Sequence, residues 1–177
     1  MTAGQPLRIE PISEAAVTPF GWMLGKPLPS ATDATAFASP ASDFWHEHVF
    51  NAGDGGEPEI LWVTYRSDDP AVTRLEVHHL TQQAVVPVIG SIVQIVAASD
   101  AAGEPDLSTV RAFTITPGQG LCMRPGIWHA TRSVGGESTC LMLTRGSTTI
   151  DLVRHLNQGA AVEESRMTDI PQLHLER

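Results

Sequence analysis

The chain has 177 residues, enough for one domain with a core of useful size, and 42 % of them are apolar. A formal net charge of −9, from 11 Lys+Arg against 20 Asp+Glu, argues against a nucleic-acid partner, which needs a basic patch. No apolar run approaches the ~20 residues of a membrane helix, and the start Met1-Thr2-Ala3-Gly4 lacks the parts of a signal peptide, so a cytoplasmic protein without a membrane partner is expected.

Residues 7–11 read as an edge strand, and 13–17 as a short helix with Ser13 as N-cap. The Ala/Ser/Thr/Pro-rich stretch 27–42 reads as an irregular loop. Strands then recur at 44–50, 59–66, 73–78 and 84–88, each rich in β-branched and aromatic residues. Residues 92–98 form a near-continuous apolar run, the pattern of a strand buried on both faces. After a loop at 99–107 come strands at 109–116, 121–124, 138–143 and 148–153. With 13 prolines and 15 glycines as punctuation, this is an all-β chain in a closed barrel or jelly roll, which protects its edges. A single domain over 1–177 is expected, with 1–6 and 158–177 as flexible tails or, at the C-terminus, an arm onto a partner subunit. Cys122 and Cys140 are expected to be buried thiols.

The residues that carry chemistry lie in two stretches. The first is Glu76-x-His78-x4-Gln83-x6-Gly90, and the second is Gly118-x5-Arg124-x-Gly126-x2-His129. Side chains two apart on a strand share a face, so Glu76 and His78 point together while His79 points away. Gln83 follows a turn that returns it toward them, and His129 opens a later strand beside Trp128, a wall or a core residue. Carboxylate and imidazole bind divalent metals and an amide oxygen does so weakly. Glu76, His78, Gln83 and His129 therefore admit either a divalent ion or a metal-free polar site, and no obligatory cofactor is expected. Lys26 is the only lysine and sits in a Gly-Lys-Pro loop, which argues against Schiff-base catalysis. Arg66 and Arg124 are candidates to clamp a small anionic substrate through its carboxylate, and His46, of the His46-Glu47-His48 triplet, is a candidate at the cavity mouth.

The two stretches resemble the halves of the cupin signature, in which strands of a small β-barrel aim polar side chains into one cavity. A cupin usually has His, His, Glu and His there, where this chain has Glu76, His78, Gln83 and His129. More specifically, Pro105-Asp106-Leu107-Ser108-Thr109-Val110-Arg111-Ala112-Phe113, followed by Gly120 and Gly126-Ile127-Trp128-His129, resembles the ureidoglycolate lyase family, once called ureidoglycolate hydrolases. Glu76, His78, Gln83, Ala84 and Pro87 are similar to its upstream motif, and the resemblance spans roughly residues 7–156. Many relatives have histidine where this chain has Arg124, a second histidine at Ala130 and lysine near Ile89.

The resemblance implies cleavage of (S)-ureidoglycolate, or a close carbinolamide, to glyoxylate and urea in allantoin and purine degradation. It implies His129 as base and His78, oriented by Glu76, as acid or electrophilic partner, with these roles exchangeable. Gln83 would hold the ureido group, and Arg124 or Arg66 the carboxylate. Small cupins commonly dimerise, so a homodimer is expected. A metal-dependent isomerase or dioxygenase, and a non-catalytic binder of small acids, are the alternative functions.

Overall fold

The structure, a computed structural model, describes residues 4–30 and 35–177. Among the described residues there are eleven strands and two α-helices. In chain order these are β1 (Gln5–Pro11), α1 (Glu14–Val17), β2 (Gly21–Leu24), β3 (Ala36–Ala38), β4 (Asp43–Trp45), β5 (Pro58–Tyr65), β6 (Ala71–His78), β7 (Gln83–Ala97), β8 (Arg111–Ile115), β9 (Gly120–Met123), β10 (Trp128–Arg145), α2 (Gly146–Gln158) and β11 (Ser165–Glu176). Nine of the strands form one sheet, ordered β2-β9-β7-β8-β1-β11-β6-β10-β5, and a further pairing of β7 with β10 closes it.

Two long strands make the closure. β7 and β10 run antiparallel from Trp128↔Ala97 to Leu143↔Ala84, and their register shifts between Val134 and Thr139. Opposite that bulge lies Gly90, with φ at +71°, where a Cβ would sit 2.7 Å from Ser138 Oγ and 2.9 Å from the Glu137 carbonyl. Only glycine fits such a bend, and a bulged strand turns more sharply than a regular one. Both strands therefore serve two halves of the barrel. Before the bend β7 pairs with β9; after it, with β8. The separate strands expected at 84–88 and 92–98 are one bent strand.

The core follows the alternation of these strands. One cluster draws Val85, Ile92 and Val96 from β7, Phe113 and Ile115 from β8, Leu121 and Met123 from β9, and Met142 from β10. A second fills the opposite face with Leu75, Val77, Ile95, Trp128 and Leu173. Burying each such aliphatic side chain stabilises the fold by roughly 1.5–3 kcal/mol. On β10, Trp128 faces the second cluster and His129 the first side, so one residue's difference in position separates packing from chemistry.

The helix α1 has the expected cap: Ser13 Oγ accepts from the Ala16 N–H at 3.4 Å. Cys122 and Cys140 are free and buried. Several expectations are corrected. β1 is no edge strand, since it runs parallel to both β8 and β11. Of 44–50 only Phe44 and Trp45 belong to a strand, β4, paired with β3 in a separate hairpin. That hairpin also orders part of the loop expected at 27–42, of which residues 31–34 lie outside the described ones.

The segment at 148–153 is helical. Its β-branched residues suggest a strand, but Ile150, Val153 and Leu156 recur at helical spacing, and Gly159, with φ at +68°, ends the helix in the left-handed conformation. The C-terminal stretch expected to be flexible is β11, paired antiparallel with β6 and parallel with β1. Among the described residues no helix is long and apolar enough to cross a membrane.

Candidate active site

The end of β6 and the start of β10 meet at a single pairing, His129 opposite Glu76. Gly126, with φ at +80°, turns the chain into β10, and its N–H donates to the His78 carbonyl at 2.8 Å. The same turn that starts His129's strand is thus tied to the end of the strand that carries Glu76 and His78.

The side chains converge. His129 Nε2 lies 3.3 Å from Glu76 Oε1, and the His78 and His129 rings meet edge to face with centroids 5.1 Å apart. His129 Nδ1 is 3.0 Å from the Ile127 carbonyl, an acceptor only, so Nδ1 carries the proton and donates. Nε2 is then directed at the site. It is buried, and although near Glu76 it is not aligned for a hydrogen bond.

His78 is held differently. Its Nε2 lies 2.9 Å from the Gln83 amide nitrogen, which can only donate, so Nδ1 carries the proton and donates to Ser165 Oγ at 2.8 Å. Burial, and then the neighbouring His129, push the His78 imidazole down to about 4, against the pull of Glu76. His78 is therefore neutral near pH 7. For Glu76, burial works upward, but the facing His129 and His78 outweigh it and bring the carboxyl down to about 2. With 36 % of its side chain exposed, Glu76 remains in contact with water, which favours the ionised form.

Further inside, Thr131 Oγ1 donates to Gln94 Oε1 at 2.9 Å, and the Tyr65 hydroxyl reaches Met142 Sδ at 3.6 Å. Burial, aided by the Glu76 charge, raises the Tyr65 phenol to about 12 although a bond with Thr131 opposes it. Tyr65 is therefore a neutral hydrogen-bonding group here. A cavity of ≈ 220 Å³ opens where β6 and β10 part, lined by Thr73, Arg74, Glu76, His129, Arg132 and Met167 among others. A larger cavity of ≈ 660 Å³ near Ile9, Pro11 and Thr114 touches none of Glu76, His78 and His129.

Glu76, His78 and His129 could hold a metal ion, each bringing one ligand atom within 4.8 Å of the others. The geometry of His129 fits: a backbone carbonyl holds its Nδ1–H and leaves Nε2 as the free donor atom, a common arrangement of metal-binding histidine, whereas His78 would have to exchange its Nε2 bond with the Gln83 amide for the metal.

Of the residues singled out in the sequence, Glu76, His78, Gln83 and His129 come together. Gln83 contacts His78, and His78 is oriented by Gln83 and Ser165 rather than by Glu76. The others lie elsewhere. Arg66 is an exposed partner of Glu137 at 3.0 Å. Arg124 donates to the Thr18 carbonyl at 2.7 Å and lies over the Trp22 ring, 4.3 Å from its centroid. Trp128 is fully buried core. His46 is exposed after β4, its N–H bound to the Thr35 carbonyl. His48 stacks on Trp22 and bonds Gln82. His79 is exposed as its alternation requires.

Ser165, Tyr65, Arg74 and Arg132 also adjoin this region, although nothing in the sequence singles them out as a group. Arg74 alone had a readable signal, standing two residues before Glu76 on the same strand.

A closed barrel of bent strands with carboxylate, amide and imidazole groups converging on one side is a cupin. Within that fold the sequence profile of the ureidoglycolate lyase family matches residues 4–164, and the chain belongs to that family, a family of lyases. It is 31 % identical over 170 residues to the ureidoglycolate lyase of Burkholderia mallei (strain NCTC 10229), covering 92 % of this chain and 94 % of that protein. It is 27 % identical over 157 residues to ureidoglycolate lyase 2 of Rhizobium meliloti (strain 1021), covering 85 % and 92 %. One solved structure resembles it at low sequence identity. A dTDP sugar isomerase from Desulfovibrio desulfuricans G20 has a TM-score of 0.45 at 11 % identity, covering 75 % of this chain and 78 % of that one.

Proposed function

We propose that this enzyme cleaves (S)-ureidoglycolate to glyoxylate and urea, with His129 moving the proton and Glu76 balancing the charge this creates. Membership of the ureidoglycolate lyase family supports the reaction. The residue roles rest on one observation: a buried His129 Nε2, with its other nitrogen tied to a carbonyl, facing a carboxylate at 3.3 Å.

The substrate carbon bears a hydroxyl, a carboxylate and the ureido nitrogen. His129 Nε2 removes the hydroxyl proton. As the new C=O forms, the C–N bond breaks and its electron pair stays on the ureido nitrogen. His129 then returns the proton to that nitrogen, so urea leaves neutral and the enzyme is restored. Between the two transfers His129 is an imidazolium, and the ionised Glu76 beside it stabilises that charge.

His78 takes a supporting role. A second cation at 5.1 Å would oppose the charging of His129, and burial keeps His78 neutral. Gln83 fixes its tautomer and orientation through its amide nitrogen. A divalent ion on Glu76, His78 and His129 would occupy His129 Nε2 and would supply Lewis-acid polarisation of the substrate hydroxyl in place of that imidazole's action as base. Elemental analysis of protein purified without chelator tests whether one is held.

Purified protein given (S)-ureidoglycolate is expected to release glyoxylate and urea in equal amounts, well above the spontaneous rate. Release at the background rate rejects the reaction. We further propose a cytoplasmic homodimer acting on a late step of allantoin and purine-nitrogen breakdown, without a nucleic-acid partner. Supporting the dimer, Ile60 and Trp62 on the edge strand β5 are 69 % and 65 % exposed, and Ile150, Val153 and Leu156 on α2 are exposed as well.

A further inference from the structure

The cavity beside Glu76 and His129 contains a cation that the proposed proton transfers do not use. Two arginines line it, Arg74 and Arg132. Arg74 is neutralised by Asp169 at 2.7 Å. Arg132 is not. Its Nε, Nη1 and Nη2 donate to the carbonyls of Asp69, Thr131 and Ala71 at 3.0, 3.1 and 2.8 Å. Among the described residues no carboxylate pairs with it.

Backbone carbonyls orient a guanidinium but leave its net charge in place, and a guanidinium has more N–H groups than these carbonyls take up. After their one pairing at His129 and Glu76, β10 and β6 diverge, and Arg132 reaches from β10 across to Asp69 and Ala71 at the start of β6. The result is a fixed, half-buried positive charge with donors to spare. On β10 Arg132 shares the face of Trp128, opposite His129, and its guanidinium reaches into the gap between the diverging strands, where it borders both this cavity and the larger one near Ile9 and Pro11. The arginines favoured by sequence are engaged elsewhere: Arg66 with Glu137, Arg124 on Trp22.

We infer that Arg132 anchors the carboxylate of the substrate and sets a preference for α-hydroxy-acid substrates over uncharged carbinolamides. This rests on the proposed lyase reaction, in which the reacting carbon carries that carboxylate. Arg132 is a positioning residue, since it meets the anion and not the atoms that change bonds.

The test uses oxalate as an anionic probe by calorimetry, together with steady-state kinetics on (S)-ureidoglycolate. Wild type is compared with Arg132→Met, with Arg132→Gln (neutral, but able to donate to the same carbonyls) and with Arg132→Lys. The neutral variants are expected to weaken oxalate binding and raise KM by about ten- to hundredfold, with kcat changed by no more than about threefold. Arg132→Lys should restore part of the affinity. A strut alone would lower the melting temperature while leaving KM and oxalate affinity unchanged, and that result overturns the inference.

Either neutral variant suffices if the other does not fold. A wild type that binds oxalate but turns over no ureidoglycolate sinks the proposed reaction, while the oxalate comparison still decides the anchor. A wild type that binds no oxalate overturns it.

Discussion

His129 and Glu76 stand opposite each other on strands that share no other pairing, with Nε2 3.3 Å from the carboxylate oxygen. The split beyond that pair is the cavity mouth, so the groups that move the proton also mark where the barrel stops being closed. The backbone supplies the placement: a positive-φ turn at Gly126 and a carbonyl on His129 Nδ1 fix the ring before substrate arrives.

Replacing Glu76 by Gln keeps the shape and removes the charge that stabilises the imidazolium. Turnover should fall by roughly 10²–10³, the range of a general acid–base contribution, with KM changed far less. Steady-state kinetics check this, and a loss under threefold would mean the carboxylate is a bystander.

His78 makes stability depend on pH. Its folded value of about 4 lies below the ordinary 6.5, so between these the unfolded chain binds the extra proton. Stability is therefore complete above pH 6.5 and declines as pH falls toward 4, by on the order of 3 kcal/mol over that window. Glu76, lowered from 4.5 to about 2, adds a second loss at lower pH, as its carboxylate is forced to protonate. Urea-denaturation midpoints at pH 7 and pH 4.5 measure the first effect. In His78→Gln the difference should shrink; an equal difference would place its origin elsewhere.

Much of this site is legible in the sequence because alternation on a strand is a strict geometric rule. Glu76 and His78 two apart, Gln83 beyond a turn and His129 behind Gly126 need only correct strands to converge. Arg66 and Arg124 are engaged with Glu137 and with Thr18 and Trp22, because charge and proximity in sequence do not say which way a strand end faces. Arg124 leaves the barrel to lie on Trp22, a contact between segments about a hundred residues apart. Ser165 was out of reach for a different reason. It belongs to a polar stretch that becomes a strand only by pairing with β6 and β1, a tertiary effect with no local signature. The β-branched residues of α2 favour a strand locally, while its apolar spacing is that of a helix.

Trp62 tests the proposed dimer. It is 65 % exposed on an edge strand and pairs with Leu141 on one side only. Large apolar groups displayed together commonly mark a protein contact. Sedimentation should show a dimer for wild type and a monomer for Trp62→Lys at the same concentration, with little change in melting temperature. A monomeric wild type at tens of micromolar would remove the dimer.

The most direct measurement is the single-turnover rate of His129→Ala on (S)-ureidoglycolate, with folding verified by circular dichroism. Loss of roughly 10³ or more relative to wild type is expected, because the variant lacks the atom that both takes and returns the proton. A folded variant that still releases glyoxylate within tenfold of the wild-type rate would contradict the assignment of proton transfer to this imidazole.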